Sequence, residues 1–175
     1  MAKNKVLEPF HGSRHDHDHC IDEAMAAAEK ICDAAEARLT PLRRRVLEMV
    51  WQSHEPVGAY DLLNQLQKEK SRAAPPTVYR ALEFLLEHGL VHRIETLNAY
   101  VGCGDPESHP HSRHGAQFLI CRDCGEVAEL EDQDIARTVI KKAENQGFQV
   151  QRQTIEIMGL CPDCTSESGN GHVAT

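Results

Sequence analysis

Pro75-Pro76-Thr77-Val78-Tyr79-Arg80-Ala81-Leu82-Glu83-Phe84-Leu85-Leu86-Glu87-His88-Gly89 runs straight into Leu90-Val91-His92-Arg93-Ile94-Glu95, and this junction decides the fold. The prolines open a helix where a missing N–H costs nothing, and Gly89 stops it. Between them Val78, Leu82, Leu85 and Leu86 recur at a spacing that turns one face inward. Beyond the glycine the pattern changes. Leu90 to Glu95 and Ala99 to Val101 read as two strands joined through Thr96-Leu97-Asn98, a hairpin.

Upstream the pattern is helical. Thr40-Pro41 reads as an N-cap followed by an N1 proline, opening a helix with Leu42, Val46, Leu47, Val50 and Trp51 as its core stripe. A shorter helix from Ala59 to Lys68 offers Leu62, Leu63 and Leu66, and an Ala-rich helix from Ile21 to Glu36 precedes both. Helices and then a hairpin are the order of a winged helix, which sets its last helix into the DNA major groove. On that helix Thr77, Arg80, Glu83 and Glu87 lie opposite the leucine stripe, with Tyr79 at the flank. Residues near the start of a recognition helix reach base edges, and Arg is the usual reader of guanine. Helical spacing alone leaves the plain alternatives open. Tyr79 packs inward and Arg80 is an ordinary surface charge; Tyr60 is either a hydroxyl donor to DNA or a packing residue; Arg43, Arg44 and Arg45 are either phosphate contacts or a solvated basic face.

Downstream of residue 102 the chain differs in kind. Cys103 to Gly115 is a Gly/Pro/His loop. Strands at Gln117–Ile120 and Glu126–Leu130, a helix over about Asp132–Gln146 and a long strand at Phe148–Met158 are expected to form a small α+β unit. Cys121-Arg-Asp-Cys124 and Cys161-Pro-Asp-Cys164 bracket it, with 36 residues between Cys124 and Cys161. Two such turns present four thiolates, a closed tetrahedral shell suited to structural Zn²⁺. A unit this small buries little core, so a metal staple and a dimer interface are both expected. Disulfides or redox pairs are the bland alternative.

The composition sets limits. The chain has 175 residues, 41% hydrophobic and 26% charged, with a net charge of −8. The charge is uneven: residues 21–101 carry 10 Lys and Arg against 12 Asp and Glu, and residues 102–175 carry 6 against 12. A nearly balanced half with clustered arginines can still present one face to DNA. No run approaches the ~18 apolar residues of a membrane span, and residues 1–14 lack the apolar core of a signal peptide. Seven cysteines without an export signal point to the cytoplasm, where thiols stay reduced and bind metal.

Leu39-Thr40-Pro41-x-Arg43, Pro75 to Leu82, Gly89-Leu90-Val91-His92 and Cys121-x-x-Cys124-Gly125 together resemble the ferric uptake regulator family, and within it the zinc-sensing branch, over roughly residues 21–165. The resemblance implies a homodimeric, metal-responsive repressor of α+β class. Residues 1–20 would be a disordered His-rich extension, 21–101 a winged-helix DNA-binding domain, 102–115 a hinge loop, 116–165 a zinc-stapled dimerisation domain and 166–175 a disordered tail. It assigns Cys121, Cys124, Cys161 and Cys164 to structural zinc, and makes Tyr60 and Arg80 the expected base contacts, with Thr77 and Tyr79 beside them.

Outside the cage, His92, Cys103, His109, His111, His114 and Glu129 are candidate ligands. Similarity to zinc-sensing members selects His92, Cys103, His114 and Glu129 as a regulatory site, which makes two Zn²⁺ per protomer. The Cys103 thiolate argues against iron or manganese, and the run His109-Pro-His111-Ser-Arg-His114 departs from the dense His-His-Asp-His pattern of iron sensors. His92 as a satisfied wing histidine, Cys103 as a small buried hydrophobe and Glu129 as a strand charge are the plain alternatives. The reading is thus a zinc-activated repressor of zinc-uptake genes, not an enzyme, whose partners are operator DNA and a second copy, with no membrane and no small-molecule substrate besides the metal ion. Two alternatives stand beside it. One is a sensor of iron, manganese, nickel or peroxide on the same scaffold. The other is a zinc-dependent hydrolase with Glu129 as base, which lacks any H-E-x-x-H-like helix. The tract His15-Asp16-His17-Asp18-His19-Cys20 is either an unstructured extension or a zinc-recruiting segment.

Overall fold

The computed structural model describes residues 5–8, 10, 17–52, 55–69, 73–107 and 115–168. The chain forms two compact units. One lies within His15–Ser112; the other lies within Arg113–Thr175 and includes the N-terminal strand.

The first unit packs α1 (His17–Ala34), α2 (Pro41–Trp51), α3 (Ala59–Glu69) and α4 (Pro75–Glu87) with a three-stranded sheet. That sheet has the order β2-β4-β3, from β2 (Val57–Gly58), β3 (Val91–Ile94) and β4 (Ala99–Gly102). Thr40 caps α2 as expected, its hydroxyl accepting the Arg43 N–H at 3.4 Å. The stripes meet in one core of Val46, Leu47, Val50, Leu62, Leu66, Val78, Leu82 and Leu85. Ala81 and Phe84 are buried as well, which the leucine stripe alone does not show. Cys32 is a core thiol, and burial pushes its pKa up, so it stays protonated. The hairpin pairs His92 with Val101 and Ile94 with Ala99. β2 is unexpected. Its two residues are too short to show alternation, and only pairing with Tyr100 and Ala99 makes them a strand.

The second unit is a four-stranded sheet of order β1-β6-β5-β7, built from β1 (Lys5–Glu8), β5 (Ala116–Cys121), β6 (Val127–Glu131) and β7 (Thr154–Gly159). β1 and β5 flank β6 antiparallel, while β7 runs parallel to β5. The amphipathic helix α5 (Gln133–Glu144) makes the crossover, capped by the Asp132 carboxylate, and α6 (Pro162–Ser168) closes the chain.

Three expectations are corrected. The first twenty residues are not uniformly disordered: Lys5–Glu8 pairs with β6, and α1 begins at His17. No Gly or Pro breaks the His-Asp run, and Cys20, Ile21 and Ala24 pack on the core, so the helix extends backward from Ile21. The last strand starts at Thr154, not Phe148, because β5 offers partners only from Ala116, opposite Thr154. The tail is helical through Ser168. His15, His54, His109, His111, His114 and His172 lie outside the described residues.

Candidate metal centres and nucleic-acid interface

Parallel pairing of β5 with β7 puts Cys121 opposite Gly159, so the two knuckles leave the sheet side by side. The first turns tightly at Gly125, whose φ of +79° suits glycine, with its N–H returning to the Cys121 carbonyl at 3.0 Å. In the second, Cys161 precedes α6 and Cys164 lies within that helix's first turn. The four sulfurs all lie within 4.8 Å of one another, with Cys124 Sγ and Cys161 Sγ 3.8 Å apart. A tetrahedron with Zn–S bonds of ~2.3 Å has edges of ~3.8 Å, so the spacing fits zinc.

The electrostatics fit as well. Backbone N–H groups of Cys124 and Cys161 pull the Cys121 thiol down to about 6. Hydrogen bonding to Cys161, burial and the neighbouring sulfurs push Cys164 up, because a further anion in the cluster is costly. A dication removes that conflict and lets four thiolates coexist. None of the seven cysteines is joined in a disulfide.

The other candidates are distributed as follows. His92 is buried on β3, and Cys103, equally buried, follows β4 with its N–H donated to the Leu90 carbonyl at 3.2 Å. The two offer ligand atoms within 4.8 Å of each other, so the hairpin assembles an imidazole–thiol pair. Glu129 belongs to the other unit, buried on β6 between Phe118 of β5 and Glu8 of β1.

The exposed face of α4 carries Thr77, Tyr79, Arg80, Glu83 and Glu87. Tyr79 is 42% exposed and Tyr60, on α3, is 68% exposed, so neither is a core residue. Arg80 forms no ion pair among the described residues. The arginine cluster at the start of α2 differs. Arg43 lies 3.5 Å from the centroid of the Phe84 ring and donates to the Arg38 carbonyl, Arg44 pairs with Glu29, and Arg45 pairs with Glu48 and Glu69. These side chains are committed within the protein, a role that composition could not show. His88 follows the end of α4, its Nδ1–H donating to the Phe84 carbonyl at 2.8 Å.

The family model of the ferric uptake regulator family matches residues 34–158. The zinc uptake regulation protein of Escherichia coli (strain K12) is 39% identical over 150 residues, covering 86% of this chain and 86% of that one. The protein of the same description from Mycobacterium tuberculosis (strain ATCC 25618 / H37Rv) is 29% identical over 133 residues, 76% of this chain and 98% of that one. Among solved structures, a zinc uptake regulator complexed with zinc and DNA is 35% identical, with a TM-score of 0.78 over 89% of this chain and 99% of that one. The crystal structure of holo XcZur is 41% identical, with a TM-score of 0.76 over 83% and 99%.

Proposed function

The chain belongs to the ferric uptake regulator family, and we propose that it is a zinc-responsive transcriptional repressor that binds operator DNA as a zinc-loaded homodimer and controls zinc-uptake genes. The observation that carries the reading is the buried His92–Cys103 pair, a soft-ligand centre separate from the four-cysteine cluster. Two centres divide the labour. Cys121, Cys124, Cys161 and Cys164 hold a structural ion, while His92, Cys103, His114 and Glu129 hold a regulatory one, giving two Zn²⁺ per protomer.

His92 and Cys103 come from one unit and Glu129 from the other. If all four ligate one ion, the orientation of the units depends on zinc occupancy, and with it the spacing of two recognition helices along DNA. Thr77, Tyr79 and Arg80 on α4, with Tyr60 on α3, supply the DNA contacts. The homodimer is supported by β7, a sheet-edge strand exposing Ile157 and Met158, and by α5, which buries no residue within its own chain and exposes Ile135 and Val139. Among the described residues no helix is long and apolar enough to cross a membrane. A DNA partner and cysteines present as thiols support a cytoplasmic location.

The test is a zinc titration of operator binding by fluorescence anisotropy, beside zinc stoichiometry with and without a chelator. Wild type is expected to hold two zinc ions and to release operator when the weaker one is removed. Cys103→Ser is expected to stay dimeric with its structural zinc and to require at least about 10- to 100-fold more free zinc. An unshifted midpoint, or binding that follows iron or manganese instead, overturns the zinc reading.

A further inference from the structure

The residue before Cys103 has no side chain, and another residue occupies the space. A Cβ built on Gly102 falls 2.1 Å from Trp51 Cε2, 2.4 Å from Cζ2 and 2.5 Å from Nε1. The indole of Trp51, the last residue of α2, therefore lies directly on the Gly102 backbone. The atoms in contact belong to the edge of the bicycle that a phenylalanine lacks. Trp51 is 7% exposed, and its Nε1 is buried with no hydrogen-bond partner among the described residues. A ring without a donor would fill this core without stranding a polar group, so an orphaned indole N–H asks for a reason beyond packing.

Position supplies one. Gly102 ends β4 opposite Val91, next to the His92–Val101 pair, and the following N–H ties Cys103 to Leu90. The backbone that delivers the Cys103 thiol is held by the Leu90 carbonyl and pressed by the indole. We propose that Trp51 is a positioning residue for the regulatory metal centre: its indole, seated on Gly102, fixes the strand end carrying Cys103 and so preorganises the Cys103–His92 pair for zinc. This rests on the reading of that pair as zinc ligands. Metal centres gain affinity when the groups around the ligands lock their geometry, and loosening them typically weakens binding about 10- to 100-fold.

The experiment uses the full-length dimer with its four-cysteine centre loaded. Zn²⁺ is titrated into wild type, Gly102→Ala, Trp51→Phe and the double variant, read by operator binding and, where Trp51 remains, by the fluorescence of this single tryptophan. Gly102→Ala, which drives a methyl into the ring, is expected to raise the zinc midpoint about 10-fold or more with structural zinc and dimer retained. Trp51→Phe is expected to raise it too. Alanine at 102 should cost little more once the indole is gone, because contacting residues are not additive. Zinc is expected to change the tryptophan signal in wild type and not in Cys103→Ser. Independent, additive midpoint shifts, or a wild-type midpoint in Gly102→Ala with only a lowered Tm, overturn the proposal. Should Gly102→Ala fail to fold, a wild-type midpoint in Trp51→Phe overturns it alone. If Cys103→Ser leaves the midpoint unmoved, the ligand reading fails; if it shifts while Gly102→Ala and Trp51→Phe do not, only the role of Trp51 fails.

Discussion

Arg80 and Arg45 show how little residue type decides. Both are arginines on helices of one unit, yet Arg45 is clamped between Glu48 and Glu69, which hold it firmly charged, while Arg80 projects from the open face of α4. A guanidinium already satisfied by two carboxylates has few donors left for a phosphate or a base. Arg80 keeps its fork available, one turn past the helix start where base edges are reached. Arg80→Ala is therefore expected to cost about 1–3 kcal/mol at the operator and to relax sequence preference there, with zinc content unchanged. Competition binding against operator variants checks this. Equal weakening on every DNA sequence would make Arg80 a phosphate contact.

Elements show a second kind of contrast. α4 buries Val78, Ala81, Leu82, Phe84 and Leu85 within its own unit, whereas α5 has a strong apolar stripe and buries nothing. β7 behaves like α5: its outer backbone edge is unpaired by any strand among the described residues, and Ile157 and Met158 are about half exposed. An edge strand with apolar side chains invites another chain, whereas the strand at the opposite edge, β1, is only four residues long and carries Lys5 and Glu8. A charge on β7 should therefore act on assembly rather than on folding. Ile157→Glu is expected to weaken the dimer by about 2 kcal/mol or more, roughly 30-fold, and to release operator without loss of structural zinc. Sedimentation over a concentration series checks it, and an unchanged dimer would exclude β7 from the interface.

At the scale of the molecule, β1 and the elements from β5 to α6 form one unit, and the winged-helix unit is inserted between them in sequence. The four-cysteine centre joins the end of β5 to the end of β7 in the unit with less core. Structural zinc contributes on the order of 10 kcal/mol to such folds, comparable to the whole stability of a small domain. Cys161 is buried in that cluster, 1% exposed. Cys161→Ser is therefore expected to release zinc, unfold the sheet unit and dissociate the dimer, while α1 to α4 keep their helical circular dichroism. A soluble mutant that stays fully dimeric would remove the staple from this account.

Five helices, the hairpin and the two Cys-x-x-Cys knuckles were legible in the sequence because each depends on residues near one another. Thr40-Pro41 caps and starts α2, Pro75 starts α4, leucines repeat at the helical period, and each Cys-x-x-Cys turn presents its own two sulfurs. The proposed DNA contacts and regulatory zinc ligands were named through family resemblance, since spacing alone left plain alternatives: packing for Tyr79 and Cys103, a surface charge for Arg80 and a satisfied wing histidine for His92. Tertiary structure alone decided the rest. Lys5–Glu8 and Val57–Gly58 are strands only because β6 and β4 lie beside them, and β7 starts at Thr154 because β5 offers nothing earlier. Arg43 stacks on Phe84, and Arg44 and Arg45 pair with glutamates distant in sequence. Gly102 has to be glycine only because Trp51, half the unit away along the chain, rests on it. Periodicity and capping act between neighbours and are written locally; strand partners, ion pairs and close approaches form between segments that folding brings together.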